Sequence, residues 1–447
     1  MLCVAHAGLV ACGGLRGEAP ALTVDCSVER FGGPGHDEVT AMARHPGGSL
    51  AVAGSFEAAV RFGARTARSA GGRDGFVAMI EKAGGVRWVA RIGSERSDHA
   101  WAVAVGDGSD VFATGLLRDR HCFVVRIAGG DGRERWRTVL AGNGTHLCRA
   151  IAVTSGEVVV VGSTQGELMF GSETVGGSQS NDFLLARISA TDGRVLSARI
   201  MGGGGNDLGR AVATADDGGA YLGGQFSGEV DPAEGSLDLG GDRLTSRGDF
   251  DALLARLGPD GDVAWARGFG GPGFDLVKSL AVDATGRIHA VGPLQRPADY
   301  GDDPPFLAGG FDAFIASYSR TGALVWREPI RGDDVQAHEV SIDHAGRVWV
   351  AGHFRGNARL GSRSLRASGD LDAWVATFAP RGRVSWAAAF GGMGDEYGYA
   401  IAPGPRDIAI GGAFTGRTSL CREVLDSRGA ADAYILRVRP HLPAPSS

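Results

Sequence analysis

Seven positions whose side chains can hold a cation or a proton recur along the chain: Asp37, Asp98, His146, Asp207, Asp275, Gln336 and Glu396. Each is the seventh residue of a stretch such as FGGPGFDLV, residues 269–277, whose last eight letters fit the G-G-x-G-x-D-x-U repeat of calcium β-rolls. FGGPGHDEV at 31–39 and MGGGGNDLG at 201–209 fit the same template. Five of the seven are acids, and carboxylate oxygens gathered near one axis would suit calcium or magnesium. The default use of such an acid is humbler: it accepts backbone N–H bonds from its own glycine turn.

The spacing decides against a β-roll, which needs its nonapeptides in tandem. The stretch starts at Phe31, Ile92, Leu140, Met201, Phe269, Ile330 and Phe390, at intervals of 61, 48, 61, 68, 61 and 60 residues. A repeat of that length is an architecture, not an ion-binding turn. Each copy places a glycine 22 or 23 residues later, at Gly54, Gly115, Gly162, Gly224, Gly292, Gly352 and Gly412, after β-type runs such as EVVVVG and RVWVAG. An acid then opens an apolar strand (DAFIASY, DAWVATF, DAYILRV), and a turn leads into a tryptophan strand (GDVAWARG, GALVWREP).

Four short strands per unit and seven units predict a seven-bladed β-propeller of four-stranded blades. Phe76, Phe123, Leu184, Leu253, Phe314, Trp374 and Tyr434, with Trp88, Trp136, Trp265, Trp326 and Trp386, are expected to fill the interfaces between blades. The 48-residue copy lacks the segment that others carry between their second and third strands, so that segment is an excursion from the core. LTVDCSVER at 22–30 occupies the place of the tryptophan strand, which the last copy lacks. The N-terminal strand should therefore complete the last blade and close the ring, removing two unpaired edges. One propeller is expected over 22–440, after a signal at 1–12 and a linker at 13–21, with a disordered tail at 441–447.

Composition narrows the function. Hydrophobic residues make up 43% of the 447 and charged residues 21%, enough for a large core. The net charge of −6 argues against a nucleic-acid or anionic-membrane surface. The 74 glycines, without a period of three, suit tight turns between short strands. Lys82 and Lys278 are the only lysines. No run of eighteen apolar residues exists. MLCVAHAGLVACGG resembles the end of a secretory signal, and Leu9-Val10-Ala11-Cys12 a lipobox that would lipidate Cys12 and give a lipid anchor, although the segment lacks the usual basic residues. The other reading is an uncleaved N-terminal tail. Cys26, Cys122, Cys148 and Cys421 then form an even set. Cys26–Cys421 could staple the ring and Cys122–Cys148 could pair nearby; four buried free thiols are the alternative.

The FGG-x-G-x-D junction, the strand ending in AG, the GG-x-DAF strand and the G-x-x-x-W strand resemble the SBBP repeat of secreted bacterial β-propellers, over residues 22–440. That resemblance implies an exported or surface protein without a common catalytic activity. The tryptophan strand is also similar to that of pyrroloquinoline-quinone dehydrogenases, which use eight blades; the adjacent cysteine pair of several such enzymes is missing here.

Residues that break the repeat are candidates for a specific site: His99, His121 and His146, with Arg118 and Arg120 in a shortened loop. They could bind a transition metal or act as a base, or be scattered surface residues. H-E-x-x-H, C-x-x-C, G-K-[ST] and G-x-S-x-G motifs are all missing. The acidic loop PADYGDDPPF at 297–306 should project from the fifth unit. The leading expectation is a monomeric, noncatalytic envelope or extracellular propeller that presents a face to a protein or glycan and needs no cofactor, with bound calcium as the alternative. The alternative is an enzyme (lyase, hydrolase or quinone-dependent oxidoreductase) with its site at the channel mouth. Fold alone does not separate them.

Overall fold

The computed structural model describes residues 25–154, 156–170, 173–176, 179–227, 244–295 and 311–440. The expected signal and Cys12, the linker 13–21, the loop 297–306 and the tail 441–447 lie outside the described residues. Every described element is a β-strand, and every strand pair is antiparallel.

One repeat shows how sequence becomes blade. The inner strand Glu38–Arg44 pairs with Leu50–Phe62, that with Arg65–Ile80, and the last with the outer strand Val86–Ile92. Middle strands are buried on both faces because neighbouring blades pack against each side. Ala220–Phe226 is buried at every residue, which is why such strands read as unbroken apolar runs rather than alternating ones. Outer strands such as Val263–Phe269 mix exposed and half-buried residues, as edge strands with one wet face should. The core follows the interfaces: Phe31, Ala409 and Ile435 of the last unit share one cluster with Val39, Val52 and Phe76 of the first. Phe76, Phe123, Leu184, Leu253, Phe314, Trp374 and Tyr434 are all buried.

The outer-strand tryptophans dock on the next unit. The indole N–H of Trp88 donates to the Gly129 carbonyl at 2.8 Å, that of Trp136 to Ala190 at 3.2 Å, and that of Trp265 to Arg320 at 3.0 Å. Each ring lies on a hairpin glycine of the neighbouring repeat. Gly132 and Gly193, at φ 75° and 77°, would each press a Cβ to 2.7 Å from an indole. Glycine is required there twice over, for the left-handed backbone and for the ring.

The expectation of seven separate four-stranded blades is corrected. Five sheets, not seven, stand as separate blades: four have four strands and one has six. The units that start near 269 and 330 merge into one seven-stranded sheet through the 19-residue strand Leu324–Ile342. Its first part pairs with Phe311–Tyr318, and its second part with Val348–Leu360. The cause is local. The junction IRGDDV is one residue shorter than the others, with Val335 opposite Phe354 in the register that Asp37 holds in its own unit, and extended pairing runs through it. The six-stranded sheet arises because the excursion of the next unit, the hairpin Leu168–Phe170 and Glu173–Val175, pairs with the outer strand Glu134–Gly142.

The ring closes through its ends. Asp25–Phe31 pairs in register with the last described strand, from Asp25 against Arg439 to Phe31 against Ala433. Cys26 is bonded to Cys421, at the turn of the hairpin Arg417–Leu420 and Glu423–Asp426, with Cα atoms 5.6 Å apart. Cys122 is bonded to Cys148, with Cα atoms 5.2 Å apart, joining the strands His121–Ile127 and Thr145–Val153.

Candidate functional site: the central cavity

The seventh-position residues do not converge on one site. Each serves its own junction. Asp37 accepts from Gly33 N–H at 2.7 Å and Glu57 N–H at 3.3 Å; Asp98 from Ser94 and Arg118, both at 2.6 Å. Asp275 accepts from Gly271 at 2.7 Å and Gln295 at 2.8 Å, Asp207 from Gly203 at 3.0 Å, and Glu396 from Gly392 at 3.0 Å. The glycines of the motif make room: a Cβ on Gly32, Gly93 or Gly391 would strike the carboxyl of Asp432, Asp74 or Asp372, the strand-three acid of the preceding unit. Burial pushes the carboxyls of Asp37, Asp207, Asp275 and Glu396 up to about 7 against the pull of their N–H donors. Among the described residues no group of three His, Cys, Asp or Glu side chains could hold a metal ion.

Two of the seven positions differ. His146 contacts the Thr164 hydroxyl through Nδ1 at 2.5 Å, and its ring stacks on His121 at 6.3 Å. Burial, then His121 and Arg120, pull its pKa down to about 4, so the imidazole is neutral. Gln336 is displaced by one residue, because its junction is one residue shorter; its carbonyl accepts the Trp374 indole N–H at 3.1 Å. His99 stacks on Trp101 at 5.6 Å, and Arg120 holds the Asn143 and Gly144 carbonyls at 3.0 Å. These repeat-breaking residues pack a shortened junction rather than surround a common ligand position.

The concave site lies at the axis. A cavity of about 440 Å³ is lined by residues of every inner strand. Six of those strands share one irregularity. Their pairing slips between Val39 and Ala41, Ala100 and Ala102, Cys148 and Ala150, Gly209 and Ala211, Ala337 and Glu339, and Gly398 and Ala400. A β-bulge inserts one residue without a partner and re-aims its side chain. The inserted residues are Thr40, Trp101, Arg149, Arg210, His338 and Tyr399, and all line the cavity; Lys278, just before the strand Ser279–Val282, joins them.

The lining is electrically lopsided. Arg149, Arg210 and Lys278 come from three consecutive inner strands, and among the described residues none of them is paired with a carboxylate. Arg149 lies over the Trp101 ring at 3.5 Å, and Arg210 Nε is buried without a hydrogen-bond partner. Burial, then Arg210 and Arg149, pull the Lys278 ammonium down to about 7; burial and Arg210 pull Arg149 to about 10. Across the cavity, His338 Nε2 lies 3.0 Å from His353 Nδ1 and is held neutral by burial and by Lys278. Glu339 accepts the Ile401 N–H at 2.7 Å, and burial pushes its carboxyl up to about 8. Tyr399 packs edge-on against His338 at 5.1 Å and along Tyr397 at 5.5 Å. One wall is cationic; the other offers neutral donors and aromatic faces.

Sequence reasoning missed this ring. Its signal was present: the third residue after the seventh junction position is Thr40, Trp101, Arg149, Arg210, Lys278 or Tyr399, polar or aromatic each time, while the residues on either side are small or apolar.

No family model matches the chain. The regulatory protein FlaEY of Caulobacter vibrioides is 26% identical over 303 residues, which span 60% of this chain and 30% of that protein. A chain in the crystal structure of the mitotic checkpoint complex aligns with 93% of this chain and 95% of its own, with a TM-score of 0.50 and 10% identity. Quinohemoprotein alcohol dehydrogenase from Comamonas testosteroni aligns with 95% of this chain and 78% of its own, with a TM-score of 0.48 and 12% identity. Such identities speak to fold alone. The strand pairing above makes the chain an all-β propeller, and the alignment at a TM-score of 0.50 agrees with it.

Proposed function

We propose that this propeller is a noncatalytic binding protein of the SBBP repeat type, exported to the cell envelope or medium, whose central cavity takes a small ligand while its outer faces remain free for a protein or glycan. The observation that carries the reading is the ring of bulged residues. Six inner strands each give the axis one side chain released from sheet pairing, and these side chains are polar or aromatic while most of their flanking residues are small or apolar. A concave site of about 440 Å³ with a few convergent polar groups has the dimensions of a small-molecule pocket. The two disulfides support an oxidising compartment.

A plug tests the cavity. Thr40→Trp adds an indole to the lining without changing any charge. In a thermal-shift screen of neutral, cationic and anionic small molecules, hits on the wild-type chain should vanish in Thr40→Trp, whose own melting temperature reports whether it folds. Hits that persist in a folded Thr40→Trp protein would place binding elsewhere. Fractionation of the native host with intact-mass measurement addresses export. The reading expects the chain in the envelope or medium, and a diacylglyceryl mass on Cys12 if the lipobox is used; an unmodified chain in the cytoplasm would oppose it.

A further inference from the structure

The cationic arc is unusual in what it lacks. Lys278 is one of only two lysines in a chain that otherwise uses arginine, and it sits beside two arginines with no carboxylate among them. Bringing like charges together in a partly dry cavity opposes folding, and buried charges are ordinarily paired. Nothing in the propeller scaffold demands it, because the corresponding positions on other inner strands are Thr40 and Tyr399. Arg149 and Arg210 rest on neighbouring strands, and Lys278, just before the next one, is held by its N–H donating to the Val291 carbonyl at 2.8 Å, so the three backbones are fixed. Arg149 is further restrained by its stacking on Trp101. The donors are therefore preorganised, and the missing component is negative charge.

We propose that Arg149, Arg210 and Lys278 form a binding site for a small oxyanion carrying at least two negative charges, supplied by carboxylate or phosphate groups. This rests on the cavity being the ligand site. Two guanidinium forks and one ammonium match oxyanion geometry, the forks bidentately and the lysine as a point charge. The opposite wall limits the rest of the ligand. Glu339 and Tyr399 are protonated at neutral pH and His338 is uncharged; the ionised carboxylate of the lining, Glu38, is taken up by Arg73 at 3.6 Å and by the Ser55 hydroxyl at 2.8 Å, so that side offers the anion little net repulsion. A ligand with an anionic head and a neutral polar or aromatic body fits both walls.

Isothermal titration of the full-length chain with inorganic phosphate and, separately, with citrate tests the site, with sodium chloride at matched ionic strength as the control. The arms distinguish phosphate from carboxylate as the head group. The expected result is saturable one-to-one binding of at least one probe, weakened tenfold or more by Arg210→Gln and by Arg149→Gln. Both variants should melt no lower than wild type, since each removes an unpaired buried charge. Absence of binding beyond the chloride control would overturn the inference, as would variants that bind as tightly as wild type. Loss of binding in Thr40→Trp with full retention in the arginine variants would overturn it too, while leaving the cavity reading intact.

Discussion

At the scale of the residue, the junction acids are tethers. Each binds two chain segments, as Asp275 does when it takes N–H bonds from its own turn at Gly271 and from the distant Gln295. Asp275→Ala leaves both donors buried and should cost about 2–4 kcal/mol in a urea melt, since each orphaned donor costs roughly 1–3. The same acids set a pH dependence. Four carboxyls rise to about 7 in the native state, so between pH 4 and 7 the folded protein holds protons that the unfolded chain has released. Their contribution is complete at low pH and is lost as pH rises through 7. Below about 6.5, the buried neutral His146, His338 and His353 work the other way, because unfolding lets them take up protons. Lys278, whose native value is about 7, also opposes the carboxyls above neutrality, but it is one group against four. The melting temperature should therefore be higher at pH 6.5 than at pH 8. A flat or rising profile would contradict this.

At the scale of the element, strands and bulges divide the work. Apolar runs such as EVVVVG and the tryptophan strands were legible because a doubly buried strand and an edge strand leave different letter patterns. The closing strand was legible from the missing partner of the last unit. Two things were not. A strand that runs through a junction depends on which of two extended segments captures it, and the loss of one residue before Gln336 decided that. A bulge depends on register, which one sequence does not display, so the axis-facing side chains stayed hidden among their neighbours. Closure gives the test at this scale. Deleting residues 22–31 should lower the melting temperature by about 10 °C or more, as an edge opens on each side of the last blade. The Cys26–Cys421 bond spans 395 residues and Cys122–Cys148 spans 26, so chain entropy assigns them roughly 6 and ~3.5 kcal/mol. Urea melts of Cys26→Ser and Cys122→Ser should show the larger loss in the first.

At the scale of the whole molecule, the repeat builds the scaffold and the departures from it build the site. The chain carries a net charge of −6, yet its centre gathers three unpaired cations, so the field inside the ring opposes the field outside. That arrangement trades stability for binding. Lys278→Met should raise the stability of the ligand-free protein by about 1 kcal/mol or more, because burying a well-packed apolar group is easier than burying a lone charge. Selenate, a divalent oxyanion with an anomalous signal, tests the centre most directly. After soaking into crystals of the full chain, its strongest anomalous peak should lie in the cavity within hydrogen-bond reach of Arg149, Arg210 and Lys278. Peaks only at exposed arginines, with the cavity empty at saturating selenate, would contradict the assignment.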